Sequence, residues 1–351
     1  MRAAEPAPLD GCGRPATDPG LAAKVAFLSD PRSYPEAPQG VQAIETHMSW
    51  VFLTDRHAWK LKKPVRVNGN DLATVEARRD HCHREVRLNR RLADDVYLGV
   101  LPLVIDGDGA LRLAAAGTAV DWLVHMRRLP AARMLDRLVA AGTLREGELR
   151  PVIARLTTFY RSCAPVDMTP GRFRARFAEG IEENERALRL PQAALPAGLV
   201  TEVHARQRAA LGRDAALFDR RLAEGRVVEG HGDLRPEHVC LESAPQIIDC
   251  LEFSLPLRLV DAAEELGYLA LECERLGAPG LKREIFDAYA ALSGDRPPPA
   301  LVDFYQSYHA CVRAKLAVWH LLDPAPRDLA RWPAQALAYL ALARGHLERP
   351  A

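Results

Sequence analysis

HGDLRPEHV, residues 231–239, followed by QIIDCLEF at 246–253, is the stretch on which the fold turns. It sets two histidines, two carboxylates, an arginine and a proline between apolar runs short enough to be buried strands. An unpaired charge is expensive to bury, so polar groups this dense belong to a loop that faces a ligand or a metal. Outward from this stretch the chain changes character. Helical periodicity covers 131–160, 172–190 and 200–224 before it, and 260–276 and 281–346, with interruptions, after it. DRPPPA at 295–300 reads as a loop between helices.

Residues 40–130 follow another rule. VQAIET, SWVFLT and AWKLKK are short strand-like runs, and TDRH supplies a turn between the second and third. YLGVLPLVI, the DGDG turn and ALRLAAAG read as a hairpin, and VDWLVHMRRLP as a further strand running into Pro130. Between them, TVEARRDHCHREVRLNRRLADD (74–95) has helical spacing, with Val75, Val86, Leu88 and Leu92 in its apolar stripe. A short helix is expected at Leu21–Leu28, and Pro-, Gly- and Ala-rich residues 1–20 are expected to be mobile. The expected fold class is α+β: a small antiparallel-sheet lobe with one main helix, then a larger, mostly helical lobe. The boundaries are 1–39 for an N-terminal extension, 40–128 for the sheet lobe and 129–351 for the helical lobe with the polar loop.

The 351 residues carry 47 Lys plus Arg against 46 Asp plus Glu, so net charge offers no general attraction for nucleic acid or a membrane surface. The N-terminus lacks the apolar core of a signal peptide, and no run approaches the ~18 apolar residues of a membrane span. Seven cysteines without a CxxC pair argue against structural zinc and a disulfide framework. In the HCH run at His81–His83, adjacent helix positions point apart, which disfavours chelation. A cytoplasmic location is expected. Oligomeric state is not legible.

HGDLRPEHV followed by IIDCLEF resembles the HGD-x-x-x-x-N…D signature of the aminoglycoside phosphotransferase family, whose members have a bilobal, protein-kinase-like fold. ETHMSWVFLT, AWKLKKPV, REVRLNRRL and YLGVLPL extend the resemblance to a bacterial branch of phosphotransferase-like proteins, some fused to a P-loop domain. No GxxxxGK[ST] occurs in these 351 residues, which argues against that second domain here. The similarity spans roughly residues 40–320.

The resemblance implies an ATP-dependent phosphotransferase, with GTP as the alternative nucleotide, acting with Mg²⁺ on a hydroxyl of a small molecule. Asp233 matches the catalytic aspartate at the acceptor hydroxyl, and His231 the histidine of the same loop. Asp249 matches the aspartate that binds Mg²⁺ on the nucleotide phosphates. Glu85 matches the helix glutamate that holds a strand lysine, and Asp261 a carboxylate that braces the catalytic loop. VHMRRLP, with Met126, occupies the place of the interlobe connection that meets adenine.

Three positions depart from the pattern. The metal-binding asparagine is replaced by His238, a poorer ligand for a hard ion. The phosphate-covering loop reads ETHMSW without glycines, leaving Ser49 as its candidate contact. The lysine is either Lys60, in an Ala-x-Lys spacing, or Lys62 one repeat further on the same strand face. Arg313 and Lys315 are candidates for the acceptor side, or else cations on a packed helix. Trp59, Trp122 and Trp319 are read as core or interface anchors. The rival readings are a pseudokinase-type nucleotide-binding module and a nucleotidyl transferase on the same scaffold.

Overall fold

The computed structural model describes residues 18–67, 70–322 and 329–348. The first seventeen residues, within the segment expected to be mobile, lie outside the described residues. The chain divides into two compact units. One is Met1–Ala131 with Gln246–Ser254, and the other is Ala132–Pro245 with Leu255–Ala351. The short segment that carries Asp249 therefore groups with the sheet unit, although in sequence it lies deep in the helical half.

The first unit is built on six antiparallel strands: β1 (Gln42–Glu45), β2 (Ser49–Leu53), β3 (His57–Lys62), β4 (Tyr97–Ile105), β5 (Leu111–Leu113) and β6 (Thr118–Arg127). Their order is β1-β2-β3-β6-β4-β5, so β3 lies between β2 and β6. Alternation along β3 decides what each sheet face meets. Trp59 and Leu61 pack with Phe52, Leu103 and Leu123 against Leu28 and Tyr34, so the helix Gly20–Leu28 and the segment after it belong to this core. Ala58 faces the other way, into a cluster with Cys82, Val86, Tyr97, Val124 and Met126. Lys60 and Lys62 share that face by period two.

The helix on that face runs Val75–Asn89, capped by Thr74, whose hydroxyl accepts from the Ala77 N–H at 3.1 Å. It ends earlier than its periodicity predicts, because the chain turns after Asn89 and Leu92 leaves the helix. The face it buries is more polar than the expected stripe: Arg78, His81, Cys82, Glu85, Val86, Leu88 and Asn89. Arg78 is held in a bidentate pair by Asp121 of β6, at 2.7 and 2.9 Å, and Lys24 reaches the same carboxylate at 2.8 Å. The helix is thus keyed to the sheet by buried charge pairs as well as by apolar contact.

The second unit is mainly helical. The pattern expected over 131–160 breaks into Leu135–Ala140 and Arg150–Ser162, because Gly142 and Gly147 adopt positive φ between them. The helices Pro170–Leu188, Ala197–Arg213, Ala215–Ala223, Ala262–Arg275, Leu281–Ser293, Pro299–Trp319 and Arg331–Glu348 follow. A small antiparallel ladder pairs Val227–Glu229 with Leu259–Asp261. The strand before the polar loop therefore pairs with the LVD run after IIDCLEF. One aromatic core, of Phe173, Phe177, Phe218, Phe304 and Tyr305, joins the helices Pro170–Leu188, Ala215–Ala223 and Pro299–Trp319. No helix among the described residues is long and apolar enough to cross a membrane.

Candidate active site

The sequence-predicted residues fall into two clusters, one in each unit. In the sheet unit, Glu85 is fully buried and binds both candidate lysines. Lys60 Nζ lies 2.8 Å from Glu85 Oε1, and Lys62 Nζ lies 2.6 Å from Oε2. Each ammonium has a second carboxylate, Asp249 at 2.9 Å for Lys60 and Glu252 at 2.6 Å for Lys62. The two lysines thus divide between surface and interior: the Lys62 side chain is 2% exposed and Lys60 15%, while Asp249 is 46% exposed. Burial pushes both ammoniums towards neutrality. The facing carboxylates, Asp249 first for Lys60 and Glu85 first for Lys62, more than offset this and hold both protonated.

Asp249 is fixed from below. Its backbone N–H donates to Tyr97 Oη at 3.1 Å, and the next N–H, of Cys250, donates to Asn89 Oδ1 at 2.8 Å. Ile247 N–H donates to the Leu92 carbonyl. Asn89, at the end of the helix that carries Glu85, therefore ties the IIDCLEF segment to that helix. Asp249 itself sits at φ +62°, the left-handed region that non-glycine residues rarely adopt, a local strain that the surrounding hydrogen bonds sustain.

Ser49 begins β2 opposite Lys62 and is buried in the Thr46 turn, where its N–H donates to Thr46 Oγ1 at 3.0 Å. Met126 lies inside β6, opposite Ala58 and Tyr97. The strand runs to Arg127, so Met126 is a strand residue and not part of a connecting segment. Arg127 pairs with Asp95, and Arg128 Nη1 donates to the Thr54 carbonyl. Trp59 is buried in the sheet core.

In the helical unit, the polar loop wraps onto one face of the helix Ala262–Arg275. Glu265, Tyr268 and Glu272, at i, i+3 and i+7, form a buried stripe along it. Glu265 accepts from the Gly232 N–H and from Tyr160 Oη, the latter at 2.9 Å. Tyr268 Oη donates to Asp233 Oδ1 at 3.2 Å. Two glycines make this wrapping possible. Gly232 has φ +86°, and a Cβ on Gly230 would come within 2.7 Å of both Glu265 Oε2 and Val260.

The loop's brace is therefore Glu265. Asp261, expected in that role, instead caps its helix by accepting from the Ala263 N–H, and forms a buried bidentate pair with Arg221 at 2.8 and 2.7 Å. Among the described residues, the partners of Glu265 include no cation. Burial raises its carboxyl, its hydrogen-bond donors only partly oppose this, and it titrates at about 7. A carboxylate four positions after the expected one, in DAAEEL, is the signal that sequence reading passed over.

Asp233 forms an ion pair with Arg235, Nε to Oδ1 at 2.9 Å. Burial pushes its carboxyl up, but the nearby positive charges, Arg235 foremost, more than offset it and hold Asp233 below the usual carboxylate range. His231 is fully buried, and its Nδ1 accepts from the Asp233 N–H at 3.3 Å, a contact that shapes the turn.

His238, expected as a metal ligand, has protein partners at both ring nitrogens. Nδ1 donates to the Asp233 carbonyl at 2.8 Å, and Nε2 faces an Arg235 Nη2 donor at 3.1 Å. A metal would have to displace the guanidinium, so the imidazole does not fit a metal as placed. Asp249 does fit one: its oxygens suit a hard ion and it is well exposed. No group of three or more His, Cys, Asp or Glu side chains that could hold a metal gathers among the described residues.

No family model matches the chain. Proteins of Mycobacterium tuberculosis and Mycobacterium bovis, both described as uncharacterised, are 33% identical to it over 316 residues, 88% of this chain. The chain spans 60% of the length of these relatives. Among solved structures, a choline/ethanolamine kinase family protein of Mesorhizobium loti matches with a TM-score of 0.56 at 16% identity, covering 94% of this chain and 96% of that one. Choline kinase of Cryptosporidium parvum gives 0.53 at 10% identity, covering 93% and 96%. The GDP complex of aminoglycoside 2′-phosphotransferase-IIIa gives 0.52 at 13%, covering 92% and 98%. The chain has the α+β, protein-kinase-like fold of the choline/ethanolamine kinase and aminoglycoside phosphotransferase structures.

Proposed function

We propose that the chain is a nucleotide-dependent phosphotransferase that moves the γ-phosphoryl group of ATP, or of GTP, to a hydroxyl of a small molecule. The observation that carries this reading is Lys60, an ammonium held between fully buried Glu85 and exposed Asp249. A cation fixed to a sheet strand beside an exposed carboxylate is what phosphate and its divalent counter-ion need. The GDP bound in one structural neighbour supports a nucleotide, and the alcohols named for the others support a small acceptor.

In this reading Lys60 binds the nucleotide phosphates, Glu85 keeps it in place, and Lys62 with Glu252 is the buried foundation of the pair. Asp249 would hold Mg²⁺, which supplies neutralisation of phosphate charge when bound. Asp233 aligns the acceptor hydroxyl and receives its proton. The acceptor oxygen bonds to the γ-phosphorus as the bond to the β–γ bridging oxygen breaks, and the nucleoside diphosphate leaves with that electron pair. Glu265, Tyr268, Arg235 and His238 keep the Asp233 carboxylate aimed, so catalysis is mainly positioning and electrostatics.

The deciding experiment supplies purified protein and a metabolite extract with ATP labelled at the γ- or the α-phosphate. Transfer of the γ-label alone to a small molecule is expected. Transfer of the α-label would mean nucleotidyl transfer. Nucleotide binding with no transfer would leave a nucleotide-binding module.

A further inference from the structure

The two carboxylate oxygens of Asp233 have unequal surroundings. Oδ1 carries both of the close side-chain contacts, the Arg235 ion pair at 2.9 Å and the Tyr268 hydroxyl at 3.2 Å. Oδ2 accepts no hydrogen bond among the described residues. His238 Nδ1 lies 3.8 Å from it and is already donating to the Asp233 carbonyl. The side chain is 19% exposed, so Oδ2 is the oxygen with capacity for a hydroxyl proton.

What holds Tyr268 on Oδ1 lies outside the loop. Its ring is stacked on His309, of the helix Pro299–Trp319, with centroids 4.4 Å apart and planes 15° from parallel. His309 Nε2 in turn lies 3.1 Å from Glu264 Oε1, and Glu264 precedes Tyr268 by one turn on the same helix. The imidazole therefore spans one turn of Ala262–Arg275, bonded at one end and stacked at the other. Glu264 is fixed by Arg176, which also donates to the Leu259 carbonyl of the ladder. Burial, and after it the Asp233 charge, raises the Tyr268 phenol well above its ordinary value and keeps Oη a donor.

Packing alone does not account for a histidine at this place. Its Nδ1 is buried without a hydrogen-bond partner, and a phenyl ring would fill similar space without that cost. The bond from Nε2 to Glu264 is what the imidazole adds, and it fixes the plane on which Tyr268 rests.

We propose that His309 is a positioning residue for phosphoryl transfer: bonded to Glu264, it holds Tyr268 on Oδ1 of Asp233 and so keeps Oδ2 turned to the acceptor hydroxyl. The proposal rests on the phosphotransferase reading and names the oxygen that receives the proton. The hydroxyl O–H bond breaks, its proton passes to Oδ2, and the hydroxyl oxygen bonds to the γ-phosphorus. The nucleoside diphosphate leaves with the electron pair of the broken P–O bond.

A double-mutant cycle tests this, with γ-labelled ATP varied over a fixed amount of metabolite extract and the label entering small molecules measured. Tyr268→Phe keeps the stacked ring but removes the donor, and should lower the maximal rate about 2–10-fold. His309→Gln keeps a donor for Glu264 but removes the stack. It should lower the rate by the same factor or less, with the KM for ATP unchanged in both variants. In the double variant the rate should fall no further than in Tyr268→Phe, since His309 acts only through that hydroxyl. A fall equal to the product of the two single effects would make His309 a general packing residue and overturn the proposal, as would a full rate in His309→Gln. Should His309→Gln fail to fold, His309→Phe, which keeps a ring but loses the bond to Glu264, enters the same cycle. Transfer in the unmutated protein with multiplying effects would leave the phosphotransferase reading standing without this inference. No transfer in the unmutated protein would remove both.

Discussion

The two clusters solve the problem of buried charge in opposite ways. Around Glu85 the solution is charge against charge. Two ammoniums meet three carboxylates, Glu85, Asp249 and Glu252, leaving one negative charge in excess at the exposed end. Asp233 itself is met by one guanidinium, Arg235, and by the neutral Tyr268 Oη, while Glu265 is held by Tyr160 Oη and a backbone N–H. The first arrangement suits the proposed role of receiving highly charged phosphates and a divalent ion. The second suits a carboxylate that must be aimed, with little cost in reorganisation when a proton arrives.

This contrast makes the two aspartates separable, and the largest effect should appear there. Asp233→Asn is expected to lower the transfer rate by about 10²–10⁴-fold while nucleotide affinity stays nearly unchanged, because in the proposed mechanism its role begins at the acceptor hydroxyl. Asp249→Asn should instead weaken Mg²⁺-dependent nucleotide binding, measured by titration with and without the metal. If both variants lose nucleotide binding equally, the division of labour between the clusters is wrong.

Glu85 tests the charge-against-charge half. Glu85→Ala leaves Lys60 and Lys62 with one carboxylate each in a mostly buried setting, and breaking a buried pair in this way typically costs about 3–5 kcal/mol. Denaturant unfolding of the variant should show a loss of that order. A loss under about 1 kcal/mol, the scale of surface pairs, would mean that the ammoniums reach water and that the cluster is not closed.

Glu265 tests the other half through pH. Its carboxyl titrates at about 7 in the fold against an ordinary 4.5, so between those values the folded chain holds a proton that the unfolded chain has lost. Its contribution to stability is fully present below about 4.5 and is lost as pH rises through about 7, a change on the order of 3 kcal/mol at about 1.36 kcal/mol per pH unit. Glu265→Gln keeps an oxygen for the Gly232 N–H and can donate to Tyr160, so it should remove this slope while preserving the fold. Parallel unfolding curves at pH 5 and 8 check it. An identical pH slope in both proteins would show that Glu265 is not the neutral-pH group of the loop.

The same contrast explains what could be read in advance. Lys60, Lys62 and Glu85 sit on regular elements, where period two on a strand and 3.6 on a helix convert spacing into direction. The antiparallel sheet and the helical remainder were legible for the same reason. Asp249 was found by its place after an apolar run, but its membership of the sheet unit rests on Asn89 and Tyr97, which are long-range partners. Asp261 and Glu265 are separated by one helical turn in DAAEEL, and only the path of the loop, set by Gly230 and Gly232, decides which carboxylate meets it. Choice among closely spaced candidates is a tertiary property, so periodicity does not reveal it.

The smallest expected effect belongs to His238, where the sequence pattern and the geometry lead to different outcomes. The pattern places a metal-binding asparagine there, so restoring the amide should tighten Mg²⁺–nucleotide binding if the imidazole is a weakened ligand. The geometry gives the imidazole another task. Its Nδ1–H holds the Asp233 carbonyl and its Nε2 receives Arg235, the guanidinium that also orients the Asp233 carboxylate. In His238→Asn one amide can replace the contact to the carbonyl but cannot also reach Arg235. One hydrogen bond of this kind is worth about 0.5–1.5 kcal/mol, so transfer should slow by roughly 2–10-fold. The affinity for the Mg²⁺–nucleotide complex should not change, since neither lost contact involves phosphate. Calorimetric titration of nucleotide at several Mg²⁺ concentrations, beside transfer rates on the same preparation, separates the outcomes. Tighter metal-dependent binding in His238→Asn would return His238 to the metal and leave the loop's positioning to Glu265, Tyr268 and Arg235.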